Sequence, residues 1–184
     1  MKIILIGIQG AGKSTQGNML SEKLHVPYLS TGHIFRELAK EHTLLGKQIK
    51  VVMNAGLLIS DTKTLGIVNE YLGRKEYQKG YILDGFPRTL VQAKAFKNGV
   101  DAVVYINISD KEALWRIAGR HEAREDETLM AVRKRIESFH KFTEPVLEHY
   151  RKKGKLIEVN GEGTIEQIHK EIMDHLKKVS PHDK

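Results

Sequence analysis

Cysteine is absent from this 184-residue chain, which excludes disulfides and thiolate zinc sites and points to an intracellular protein, with the cytoplasm as default. Long apolar runs are missing too. Nothing approaches the ~18 consecutive apolar residues that span a bilayer, so the chain reads as soluble and no membrane partner is expected. The opening "MKIILIGIQG" mimics a signal peptide only superficially. Its apolar run breaks at Gly7, and "AGKST" follows where a small-residue cleavage site would stand. There is no internal repeat and no low-complexity linker. Trp115 and the nine histidines show no metal-ligand spacing, so no zinc is expected.

What is present suits one globular domain with a substantial core, at 40% apolar residues. Lys and Arg number 30 against 23 Asp and Glu, for a formal charge of +7 and a pI near 9.5. Such an excess suits an anionic partner: nucleotide, nucleic acid or acidic membrane. No nucleic-acid module or aromatic stacking platform accompanies it, so nucleic acid is not the expected partner.

Apolar runs at Ile3–Ile6, Tyr81–Leu83, Val103–Ile106 and Leu156–Val159 read as buried strands, with a short fifth at Pro27–Leu29. Helical patterns fill Lys13–Leu24, Ile34–His42, Leu45–Asn54, Thr62–Tyr71, Val91–Lys97, Lys111–Gly119, Asp126–Tyr150 and Thr164–Lys177. Strand and helix alternate, which predicts an α/β fold: a mostly parallel sheet of about five strands covered by helices on both faces. Ser30 and Thr31 suit a helix start. In the longest helix Leu129, Val132, Ile136, Phe139, Leu147 and Tyr150 form one apolar stripe, and Pro145 is placed to kink it. The final "SPHDK" reads as a flexible tail, about residues 179–184.

"GIQGAGKST" follows the first strand and satisfies G-x-x-x-x-G-K-[ST] with Gly7, Gly12, Lys13 and Ser14. Glycines let the backbone fold around phosphate oxygens, so that amide hydrogens and the positive end of the next helix face the anion. Lys13 would reach the β/γ-phosphates and Ser14 the Mg²⁺. A strand before and a helix after argue against a merely structural turn. "GYILDGFPR" adds a strand ending in Asp84, a carboxylate placed to hold Mg²⁺ directly or through its waters.

With "LSTGHIFRE", "AGLLISD", "DGFPRTLVQA" and "RIAGRHEAREDETLMAVRKR", the P-loop makes the chain resemble the adenylate kinases from Met1 to about Leu176. That resemblance implies a P-loop NTPase-type three-layer fold, one nucleoside monophosphate kinase domain over about 1–178, with a helical AMP-binding arm at about 31–72. It implies Mg²⁺-dependent transfer of the ATP γ-phosphate to AMP, giving two ADP. By resemblance, Thr31 and Gln92 read the AMP adenine and Arg36 and Arg88 hold its phosphate. Leu57, Leu58, Ile59, Gly85, Phe86 and Pro87 line that pocket. On the donor side Gly10, Ala11, Gly12, Lys13, Ser14 and Thr15 match the triphosphate loop, Arg116 the arginine on the ATP adenine, and Gly163 a backbone contact to the same base.

Arg116 and Arg120 are four apart and share a helix face, while Arg124 and Arg135 are eleven apart, about three turns. Arg120, Arg124 and Arg135 match the family arginines around the transferring phosphoryl group, where charge spreads over oxygens and needs neutralising. Only "HEA", His121–Ala123, parts Arg120 from Arg124. The family carries its lid there, so a minimal lid at about 120–124 is expected, together with more ATP hydrolysis than in a lidded relative.

Two residues depart from the common family pattern: His33 stands where Asp is usual, and Ser14 where Gly is usual. Ser14 contacts Mg²⁺ or caps its helix. Competing readings are a UMP/CMP or broad-specificity monophosphate kinase, and a catalytically weak nucleotide-binding protein. Thr31 and Gln92 favour AMP, and a monomer is the base-rate expectation.

Overall fold

The computed structural model describes residues 1–119 and 128–179. Five strands, β1 (Lys2–Ile6), β2 (Tyr28–Ser30), β3 (Tyr81–Asp84), β4 (Ala102–Asn107) and β5 (Leu156–Asn160), form one parallel sheet in the order β2-β3-β1-β4-β5. Helices flank it: α1 (Lys13–Leu24), α2 (Thr31–Lys40), α3 (Leu44–Asn54), α4 (Asp61–Leu72), α5 (Leu90–Ala95), α6 (Asp110–Ala118), α7 (Leu129–Ser138), α8 (Glu144–Lys152) and α9 (Ile165–Val179). This is the three-layer P-loop NTPase architecture.

Parallel strands covered on both faces are apolar along most of their length, which is why β1, β3 and β4 appear in the sequence as near-continuous apolar runs. Ile3, Ile4, Leu5, Ile82, Leu83, Val103, Val104 and Ile106 are all fully buried. Each such side chain contributes about 1.5–3 kcal/mol relative to exposure. The carboxyl ends of β1 and β3 lie side by side, with Leu5 in register with Asp84. Loops leaving those ends meet at the position where open α/β sheets bind ligands.

A second apolar cluster gathers Phe35, Ile49 and Ile59, with Leu38, Ala39, Val52, Met53 and Ile67 against it. All but Ile59, in the link to α4, lie on α2–α4, so this segment has a small core of its own beside the sheet. Ser30 caps α2, its hydroxyl accepting from His33 N, and Thr31 is the first helical residue.

The continuous helix expected over Asp126–Tyr150 is corrected in two ways. Residues 126 and 127 lie outside those described, and α7 begins at Leu129 behind its cap Thr128. The helix then widens into a π turn over Phe139–Thr143 before α8. Pro145 has no N–H for the Lys141 carbonyl and its ring crowds that carbonyl, so the hydrogen-bond ladder is re-spaced just upstream. Leu129 also leaves the apolar stripe: it is 74% exposed, whereas Val132, Ile136, Phe139, Leu147 and Tyr150 are buried.

The expected minimal lid, Arg120 and Arg124, and the tail from 180 lie outside the described residues. Among those described, no helix is long and apolar enough to cross a membrane.

Candidate active site

β1 delivers the chain into the Gly-rich loop, and α1 leaves it with Gly12 as its N-cap. The loop needs glycine at position 10: φ is +93°, and a Cβ there would stand 2.8 Å from the Ala113 carbonyl oxygen of α6. Lys13 curls back over the loop, its Nζ donating to the carbonyls of Gly7 at 2.8 Å and Ile8 at 2.9 Å.

Beyond β3 the chain turns sharply at Gly85, with φ +80°, and a Cβ there would lie 2.6 Å from Thr31 Oγ1. Thr31 itself is buried and donates to the Asp84 carbonyl at 3.1 Å. Arg88 is fixed from three directions. Its Nε donates to Gly85 O at 2.8 Å, its backbone N–H to Gln92 Oε1 at 2.7 Å, and its carbonyl accepts from Thr143 Oγ1 at 2.9 Å.

Asp84 is buried, and its two oxygens differ. Oδ2 accepts from the Tyr28 hydroxyl at 2.8 Å, while Oδ1 is buried with no hydrogen-bond partner. Burial, then the charge and hydrogen bond of Asp84, push the Tyr28 phenol well above its ordinary pKa, so the phenol keeps its proton and donates. A buried carboxylate oxygen without a donor is a place for water or a cation. Asp84 and Ser14, both hard oxygen donors, line the same cavity, and this donor set fits a hydrated Mg²⁺.

That cavity is about 440 Å³. It brings together Gly10, Gly12, Lys13, Ser14 and Thr15 with Arg36, Leu57, Leu58, Ile59, Asp84, Gly85, Phe86, Pro87, Arg88, Gln92, Arg116 and Arg135. Ala11, Thr31 and Gly163 are not in its lining. Among the described residues that line it, five are cationic and Asp84 alone is acidic.

Arg135 joins two sides of the cavity, its Nη2 donating to Met53 O on α3 at 3.0 Å and Nη1 to Gln9 Oε1 of the P-loop at 3.4 Å. Arg116 is held by Glu112 at 2.6 Å and donates to Gly161 O at 2.9 Å, two residues before Gly163. Glu162 accepts from the backbone and hydroxyl of Ser109, which fastens the loop after β5 to the start of α6. His33 is exposed, on the first turn of α2.

Several participants were not legible in the sequence: Tyr28, Asp61, Thr143, and Gln9 within the P-loop. Asp61 Oδ1 accepts from both Gln92 Nε2 and Thr89 Oγ1, each at 2.9 Å. Asp61 had a signal as the acid opening α4, but nothing in its neighbourhood points to α5.

A family model described as adenylate kinase matches residues 5–155. The chain belongs to the adenylate kinase family. It is similar to the adenylate kinase of Stenotrophomonas maltophilia, 39% identical over 186 residues that take in 96% of this chain and 100% of the relative. That of Acetivibrio thermocellus is 34% identical over 215 residues, 97% of this chain and 99% of the relative. That of Methanothrix thermoacetophila is 33% identical over 213 residues, 97% and 99% of the two chains. All three alignments are longer than the chain of 184 residues, the last two by about thirty positions, so those relatives carry residues that have no counterpart here. Membership of the family makes this chain a nucleotide-binding phosphotransferase, a nucleoside monophosphate kinase.

Proposed function

We propose that the protein transfers the γ-phosphate of Mg·ATP reversibly to AMP, giving two ADP. The observation that carries this reading is the continuity of one cavity from the P-loop to the Arg88–Gln92 wall. A donor triphosphate on the first and an acceptor monophosphate on the second would meet with no protein between them. Relatives named adenylate kinase support the choice of AMP.

Phosphoryl transfer leaves little covalent work to the protein; it needs two polyanions in line and their developing charge neutralised. Lys13 leaves the Gly7 and Ile8 carbonyls for the β/γ-phosphates. Arg36 and Arg88 grip the AMP phosphate, and Arg88 is aimed by Gly85, Gln92 and Thr143. Arg135 stands between P-loop and arm, so closing the arm on AMP carries it toward the transferring group. Arg116 presents a guanidinium plane for the ATP base, held in place by Glu112 and Gly161 O. Arg120 and Arg124, which the family resemblance assigns to the transferring phosphoryl group, lie outside the described residues. No histidine is among the described residues that line the cavity, and none is required, because the AMP phosphate is already a nucleophile at neutral pH.

Gln92 offers its amide to the adenine edge. Asp84 and Ser14 would hold Mg²⁺, Asp84 through water, and the ion would supply positive charge that offsets the charge of the phosphates. The test is ADP formation from Mg·ATP with each nucleoside monophosphate in turn. A preference for CMP or UMP would replace AMP with a pyrimidine acceptor.

A further inference from the structure

Tyr28 is absent from the lining of the cavity, yet it touches the residue on which metal binding turns. Its ring packs on α1 at Gly17: a Cβ built there would stand 2.3 Å from Tyr28 Cε2 and 2.7 Å from Cδ2. The ring therefore occupies space that any other residue at 17 would fill. β2 runs beside β3 with Tyr28 in register with Ile82 and Ser30 with Asp84. From that position the side chain brings its hydroxyl to Asp84 Oδ2 at 2.8 Å. The outcome is a carboxylate held by one oxygen, with the other buried and without a donor.

We propose that Tyr28 is a positioning residue for the Mg·ATP complex: it ties Asp84 through Oδ2 and so keeps Oδ1 for the hydrated metal ion. This rests on the assignment of Asp84 as the carboxylate that holds the ion's water. An Asp side chain turns freely about its last torsion, and one hydrogen bond removes that freedom. A tie serving packing alone would leave no reason for Oδ1 to lack a partner, since buried polar atoms find one. The donor's neutrality matters as well. A Lys or Arg in place of Tyr28 would orient the carboxylate but cancel its charge, whereas a protonated phenol leaves the full negative charge for a cation. Gly17 belongs to the device, because it admits the ring.

The test compares wild type with Tyr28→Phe, Gly17→Ala and Asp84→Asn, and measures Mn²⁺ binding to the protein–ATP complex by electron paramagnetic resonance. Metal-free ATP affinity, KM for AMP and Tm are followed in parallel. Tyr28→Phe removes a single oxygen; Gly17→Ala keeps the phenol but displaces the ring. Both are expected to weaken Mn²⁺ binding about tenfold with metal-free ATP affinity and KM for AMP unchanged. Adding Tyr28→Phe to Asp84→Asn is expected to bring no further loss. If Asp84→Asn weakens Mn²⁺ binding while Tyr28→Phe does not, or Tyr28→Phe lowers only Tm, the tie serves packing and the proposal is overturned with Asp84's role intact. Equal losses with and without metal overturn it too. Unchanged Mn²⁺ binding in Asp84→Asn removes the assignment of Asp84, and the proposal with it.

Discussion

Gln92 Nε2 and Asp61 Oδ1 lie 2.9 Å apart, so the first turn of α4 orients the amide that we assign to the AMP base. The other end of that amide accepts from the Arg88 backbone, which fixes the orientation of the whole group. Asp61 thus governs one residue on the base side and, through Gln92, one on the phosphate side.

Asp61→Ala strips two donors, Gln92 Nε2 and Thr89 Oγ1, of their acceptor. Loss of a hydrogen bond to a charged group costs about 1.5–3 kcal/mol. The expected outcome in steady-state kinetics is a KM for AMP raised about tenfold or more, with KM for ATP close to wild type. Equal rises in both constants would contradict the assignment of Gln92.

Arg135 makes two hydrogen bonds to different walls of the cavity, at Gln9 and Met53. Arg135→Lys keeps the charge but loses the fork. The turnover number is expected to fall about 10³-fold, in the range of other arginines that neutralise phosphoryl-transfer charge. A lysine variant within about threefold of wild type would show that charge alone suffices at this position, against the range expected for such an arginine.

Gly85 combines φ +80° with a Cβ position 2.6 Å from Thr31 Oγ1. Gly85→Ala is expected to destabilise the fold by about 2 kcal/mol, from backbone strain and displacement of the Thr31 bond, as measured by urea unfolding. A wild-type midpoint would mean that the turn relaxes at no cost.

His140 links two helices, its Nε2 meeting Asp110 at the start of α6 at 2.9 Å and its Nδ1 meeting Glu144 of α8 at 2.5 Å. Glu144 first, then Asp110, raise its pKa above the ordinary value. Because the folded-state pKa lies above the unfolded one, the stabilisation is complete below about pH 6.5 and is lost as pH rises through the folded value. The pair is half exposed, so screening holds the effect to about 0.5 kcal/mol. The Tm of His140→Gln is expected about 1–2 °C below wild type at pH 6, with the gap closing as pH rises through the raised folded value. A gap that widens with pH would reverse the sign.

The sheet was legible because each strand is local and the central ones, β1, β3 and most of β4, are buried on both faces. All five were expected within one or two residues of where they lie, and the P-loop and "DGFPR" are contiguous segments whose chemistry is written in one window. The π turn was not legible: Pro145 announces a disturbance, but whether the ladder kinks or widens depends on how Phe139 and Thr143 pack. Tyr28–Asp84, Asp61–Gln92 and Thr143–Arg88 join residues 56, 31 and 55 apart in sequence. No periodicity or motif encodes such pairings; the order of strands in the sheet creates them. Leu129 fails as a core residue for a related reason, since helical spacing says which face it shares and not whether anything covers that face.

The most direct test of the account is ADP formation from Mg·ATP with AMP, CMP, UMP or GMP in separate reactions, with Lys13→Ala as control. Rapid turnover with AMP, far above the other three and abolished in Lys13→Ala, is the predicted result. Turnover as fast with CMP or UMP, or none with any acceptor despite nucleotide binding, would contradict it.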